Sequence, residues 1–181
     1  MDANLQYYVL YVQTGREKET RDALQRLRFD ARVPTELCTL RKGGKEKQVE
    51  RTFFPGYVFC GVEEMTLAAW DTALTAARSV CNHARFLGAP TAIAHDELSL
   101  IGVIAPDSKP LPPSIVEFDA FGAPHILSGP LLSLPGHVVG FERRQNRARV
   151  ALDVLGDTHI LRMAITPVQK EADNVMVKAT T

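Results

Sequence analysis

The chain has 181 residues, 45% of them apolar, enough for one ordinary domain or two small ones and too apolar for wholesale disorder. Its 21 basic and 21 acidic residues cancel, which excludes bulk attraction to nucleic acid or acidic membrane and leaves only local patches for such binding. No run reaches the ~18–20 apolar residues of a membrane span, the start MDANLQYY lacks the parts of a secretory signal, and three scattered cysteines (Cys38, Cys60, Cys81) suit reduced thiols in a cytoplasm.

In chain order, Tyr7-Tyr8-Val9-Leu10-Tyr11-Val12 is aromatic and β-branched and predicts a strand. Thr14-Gly15-Arg16-Glu17 has capping-box spacing, and Ala23, Leu24 and Leu27 recur at helical spacing, so an amphipathic helix is predicted over 15–28. Strand-like runs at about 36–41 and 49–60 flank RKGGKEK, whose paired glycines predict a hairpin tip. TLAAWDTALTAA (66–77) favours helix, 80–86 a strand, and DELSLIGVI (96–104) an acid-started helix. Such a mixture predicts a small α+β sandwich with an antiparallel sheet.

APDSKPLPPS (105–114) carries four prolines, which predicts an extended, unpaired segment. The expected organisation is a first domain at 1–105, a proline-rich linker at 106–118, a second domain at 119–172 and a tail at 173–181. In the second domain short β-branched runs alternate with Gly-Pro, Pro-Gly, an RRQNR tip and Gly156-Asp157, the pattern of a small all-β barrel or sandwich.

Signatures of phosphate cradles, dinucleotide sites, serine hydrolases and zinc proteases are absent. Cys81-x-His83 is the one close Cys/His pair, and two ligands do not make a zinc site. No catalytic residue, metal or cofactor is expected.

FFPGYVFC (53–60) poses the sharper question. Strand alternation sends Tyr57 and Phe59 to one face and Val58 and Cys60 to the other; Tyr7, Val9 and Tyr11 likewise oppose Tyr8, Leu10 and Val12. Both faces are apolar, so either the chain's own helices cover both or one face is kept for a partner. Periodicity does not choose between these. Two basic clusters complete the inventory. Arg41, Lys42, Lys45, Lys47 and Arg51 surround the Gly-Gly hairpin with Glu46 and Glu50 among them, and Arg143, Arg144, Arg147 and Arg149 surround the RRQNR tip, opposed by Glu142. Each is either a solvated turn or a local phosphate-binding patch.

YYVLYVQTGREKE, FFPGYVF, RSVCNHARFLG and SGPLLSLPG, in that order over residues 6–170, resemble the NusG family of transcription elongation factors. The first part looks like its N-terminal (NGN) domain and the second like a KOW β-barrel; the arginine-rich RRQNRARVALDVLG is most similar to the specialised LoaP branch. The KOW pattern is departed from at Phe121-Gly122-Ala123-Pro124 and Leu132-Ser133, while Gly136 is kept.

The resemblance implies a non-enzymatic, cytoplasmic, monomeric factor. It implies that Tyr11, Tyr57, Phe59 and Phe86 grip the clamp helices of bacterial RNA polymerase and that pausing and termination are thereby suppressed. It implies recruitment to long operons by an RNA hairpin or nontemplate DNA, read by Arg41, Lys42, Lys45 and Lys47 or by Arg143, Arg144, Arg147 and Arg149. In the RfaH branch the C-terminal unit can fold as a helical hairpin over the NGN face. Here Val138, Val139, Val150, Val154 and Ile160 favour strands, so a barrel that leaves the face clear is expected. The alternatives are a general NusG factor coupled to Rho or a ribosomal protein, and a KOW-type RNA-binding accessory protein.

Overall fold

Residues apolar on both sides belong in the middle of a sheet covered twice, and the first strand stands there. In chain order the elements are β1 (Gln6–Tyr11), α1 (Glu17–Arg26), β2 (Asp30–Arg32), β3 (Thr35–Lys42), β4 (Lys45–Thr52), β5 (Tyr57–Val62), α2 (Leu67–Val80), β6 (Arg85–Phe86) and α3 (His95–Ile104). Then come β7 (Ser114–Phe118), β8 (Pro124–Ser128), β9 (Val138–Glu142), β10 (Arg147–Val154) and β11 (Asp157–Val168). The computed structural model describes residues 4–88, 91–107, 109–154 and 156–168; the expected tail at 173–181 lies outside them. The protein is α+β.

The first sheet has the order β2-β5-β1-β6 and is antiparallel throughout. Leu10, Val12, Val58 and Cys60 pack beneath α1 and α2 through Leu24, Ala73 and Ala77. On the opposite face Tyr7, Val9 and Phe59 meet Ile101 and Ile104 of α3. The β3–β4 hairpin forms its own two-stranded sheet, turned at Gly43 and Gly44 with φ of +59° and +75°, where glycine fits the left-handed region.

Several elements differ from expectation for identifiable reasons. Helix α1 begins at Glu17 because Thr14 does not cap it: the Glu17 carboxylate turns back and accepts from the Gly15 amide at 2.8 Å and the Gly56 amide at 2.7 Å. Helix α2 runs on to Val80 and ends in a turn at 82–83, so only Arg85 and Phe86 remain for a strand. Cys81 is therefore buried at the helix end while His83 is exposed, and they share no strand face. The proline-rich segment is extended but not unpaired. Leu111 keeps the amide that its proline neighbours lack, donating to the Thr35 carbonyl and accepting from the Leu37 amide, both at 2.8 Å, and β7 begins at Ser114.

The C-terminal half is a curled five-stranded sheet of order β8-β7-β11-β10-β9, with β7 and β11 parallel and the other pairs antiparallel. Ala148, Val150, Leu152 and Val154 alternate inward along β10, as the period of two requires. This half is built of strands, as its β-branched residues predict, yet it does not leave the first half clear. One apolar core runs through both: Phe54, Phe59, Ile101 and Ile104 belong to the same cluster as Leu131, Leu134, Val150 and Val154.

Candidate functional site, an aromatic face at the junction of the two halves

Pairing of β1 with β5 sets Tyr11 opposite Tyr57. Their rings meet edge to face at 6.1 Å and 74°, both half-buried, and the Arg85 guanidinium lies 4.8 Å from the centre of the Tyr11 ring. Gly56 makes this approach possible. With φ of +86°, a Cβ there would lie 3.0 Å from both the Tyr11 ring and the Val12 carbonyl oxygen. Phe54 stacks on Tyr57 at 6.1 Å and 9° and closes over Phe59 at 5.9 Å.

The four aromatics grouped by sequence divide. Phe59 shares the face of Tyr11 and Tyr57 but is wholly buried. Phe86 is paired with Leu10 and so stands on the other face, stacked on Trp70 at 3.8 Å with Tyr8 edge-on at 6.4 Å. Tyr11 and Tyr57 are the accessible pair on the first face. Phe54, Arg85 and His159 join them there without any sequence signal beyond the aromatic character of 53–59.

His159 comes from β11. Its ring stands 5.4 Å from Phe54 and 6.4 Å from Tyr57, both edge-on. Beside it lies a cleft of about 540 Å³ with Tyr57, Leu87 and Glu97 on one wall and Val154, Asp157 and His159 on the other. The C-terminal sheet therefore overlies one edge of the aromatic face, contrary to the expectation of a clear one.

The halves are also joined by charge. Glu36 of β3 is 2% exposed; one carboxylate oxygen binds the Arg147 guanidinium of β10 and, at 2.9 Å, that of Arg51, while the other accepts from the Ala164 amide of β11 at 2.6 Å. Arg51 also donates to the Arg162 carbonyl. Burial acts to lower the Arg147 pKa, but the Cys38 sulfur and the Glu36 carboxylate outweigh it and the pKa lies above the ordinary arginine value. A carboxylate so enclosed needs all these donors, because a buried charge stripped of partners is strongly destabilising.

Of the basic candidates, Lys45 and Lys47 are exposed on β4, and the side chains of Arg41 and Lys42 lie outside the described residues. Arg143, Arg144 and Arg149 are exposed at the β9–β10 tip, with Arg143 lying 4.4 Å over the Phe118 ring. Arg147 differs: it is 9% exposed and committed to Glu36. Among the described residues no cluster of three or more His, Cys, Asp or Glu side chains is placed to hold a metal ion, and no helix is long and apolar enough to cross a membrane. Burial, with a smaller contribution from the Asp30 charge, pushes the Cys60 thiol up to about 12.

The sequence profile described as "Transcription termination factor nusG" matches residues 5–101, more than half of the chain. The chain belongs to the NusG family. Its NusG relatives include a "Transcription termination/antitermination protein NusG" of Treponema pallidum (strain Nichols), 32% identical over 178 residues, covering 83% of this chain and 90% of that protein. Proteins of the same description from Thermus thermophilus and Pseudomonas aeruginosa are 26% and 24% identical, covering 84% and 91% of this chain and 91% and 97% of theirs. A solved structure titled "Domain interaction in Thermotoga maritima NusG" is similar at a TM-score of 0.49 and 14% identity, covering 89% of this chain and 94% of that one. This is a NusG-type transcription factor. Tyr11, Tyr57, Phe59 and Phe86 lie within the matched residues; the arginine tip and His159 lie beyond them.

Proposed function

We propose that this NusG-family chain is a transcription elongation and antitermination factor that docks on the clamp helices of bacterial RNA polymerase through Tyr11 and Tyr57. Phe59 backs the face from beneath, and Phe86 supports the sheet from the other side. The observation that carries this reading is the pair of half-buried tyrosines, edge to face on adjacent strands at 6.1 Å, beside an interdomain cleft. Rigid aromatic residues of this kind make binding hot spots at low entropic cost.

The mechanism is differential binding. A factor that grips the closed, elongating polymerase better than the paused one shifts that equilibrium by its difference in affinity, about 1–3 kcal/mol or 5- to 150-fold. The docked C-terminal half is then the resting form, and withdrawal of its His159 from Phe54 and Tyr57 widens the aromatic face for the polymerase. Nucleic acid, an RNA hairpin or the nontemplate strand, meets the exposed arginines Arg143, Arg144 and Arg149, with Lys45 and Lys47 as the second basic surface. The first domain acts as 1–105 and the second from β7 onward, joined by 106–113, since β7 is paired into the C-terminal sheet.

Pulldown with isolated clamp helices tests the reading. Tyr57→Ala should lower capture at least tenfold, on the ~2 kcal/mol or more expected of a hot-spot aromatic; equal capture of wild type and variant contradicts it.

A further inference from the structure

Three arginines at the β9–β10 tip, Arg143, Arg144 and Arg149, form no ion pair among the described residues, and the acid nearest in sequence, Glu142, is engaged by Arg162. Arg147 lies on the same outward side of β10 as Arg149, about 7 Å away at two residues of strand rise. It would complete the patch as a fourth cation, except that the N-terminal half sits over it and Glu36 holds its guanidinium. A cleft of about 370 Å³ opens beside this pair, lined by Thr39 and Glu46 from one half and Arg144, Gln145 and Asn146 from the other.

We propose that Arg147 is claimed by two anions in turn: the Glu36 carboxylate while the halves are docked, and a nucleic-acid phosphate once they part. The two claims exclude each other because, with the halves docked, Arg147 is 9% exposed and its Nη1 is held on the Glu36 carboxylate, out of reach of an outside phosphate. Phosphate binding to the complete four-arginine patch therefore favours the parted form, and the parted form uncovers the Tyr57 face. Linkage makes the effect reciprocal: nucleic acid raises affinity for the polymerase, and the polymerase raises affinity for nucleic acid. This deepens the proposed function and rests on its reading of the Tyr57 face as the polymerase contact.

Two substitutions break the same ion pair from opposite sides. Glu36→Gln releases Arg147 with its charge, whereas Arg147→Gln releases the halves but deletes the phosphate ligand. Binding of the full-length protein is measured to a short single-stranded RNA of mixed sequence, to the DNA of the same sequence, and to isolated clamp helices. Glu36→Gln should bind the nucleic acid at least fivefold more tightly, with the slope of log affinity against log salt steeper by about 0.7, one added phosphate contact on a single strand. Arg147→Gln should show no gain in nucleic-acid affinity, while both variants gain affinity for the clamp helices. The arm showing the gain, RNA or DNA, identifies which backbone is read.

Equal nucleic-acid gains in both variants, or gains in neither, overturn the inference. The expected nucleic-acid pattern without any gain for the clamp helices sustains the role of Arg147 and refutes the Tyr57 reading instead. The wild-type protein supplies a measurement that depends on no variant folding: saturation with the preferred strand should raise clamp-helix affinity at least fivefold, and an unchanged affinity contradicts the coupling.

Discussion

Glu17 is a carboxylate 4% exposed whose role is architectural. Its two oxygens satisfy the amides of Gly15 and Gly56, so the entry to α1 and the Pro55-Gly56 turn before Tyr57 are fixed by one side chain. Glu17→Ala orphans both amides, one of them buried, and should lower the unfolding free energy by about 1–3 kcal/mol in urea titrations. The loss should come with weaker clamp-helix capture, since Tyr57 loses the turn that aims it; full stability would show that water replaces the carboxylate. This residue was half legible from sequence. The T-x-x-E spacing marked Glu17 as a group that turns back, but its second partner lies 39 residues away. The face of Phe86 is not legible, because its strand has two residues, too few to show a period, and its side is set by pairing with Leu10.

At the scale of elements, the sequence was most readable where local chemistry is strong. The Gly-Gly hairpin, the Pro-Gly entry to β5 and the alternation of both aromatic strands follow from turn residues and a period of two. Helix α2 starts where Thr66 can cap it, its hydroxyl accepting from the Ala69 amide at 3.1 Å. Thr66→Ala should therefore cost about 1 kcal/mol, seen as a lower thermal midpoint. Because Trp70 of α2 braces Phe86, the same variant tests whether that side of the sheet matters for polymerase binding: the reading above expects clamp-helix capture to survive. Two strands were illegible. Strand β2, Asp-Ala-Arg, is short and polar, held by pairing with β5. Strand β7 is hidden behind prolines and is held by parallel pairing with β11, about fifty residues further along the chain.

For the whole molecule, the union of the halves is what no local pattern announces. Hydropathy marks Phe54, Ile101, Val150 and Val154 as core residues but does not tell which apolar surface meets which. Glu36 and Arg147 are separated by 111 residues, and each taken alone reads as a surface charge. The face the family resemblance assigns to a partner is partly overlain by the chain's own β half through His159, so on the proposed function partner and β half compete for one edge. The most direct test follows the ring of His159 by NMR in full-length protein while isolated clamp helices are added. The account predicts that the cross-relaxation between His159 and Phe54 disappears as the Tyr11 and Tyr57 ring signals shift with saturable binding. Saturable binding that leaves His159 against Phe54 and the two tyrosines unshifted would contradict it.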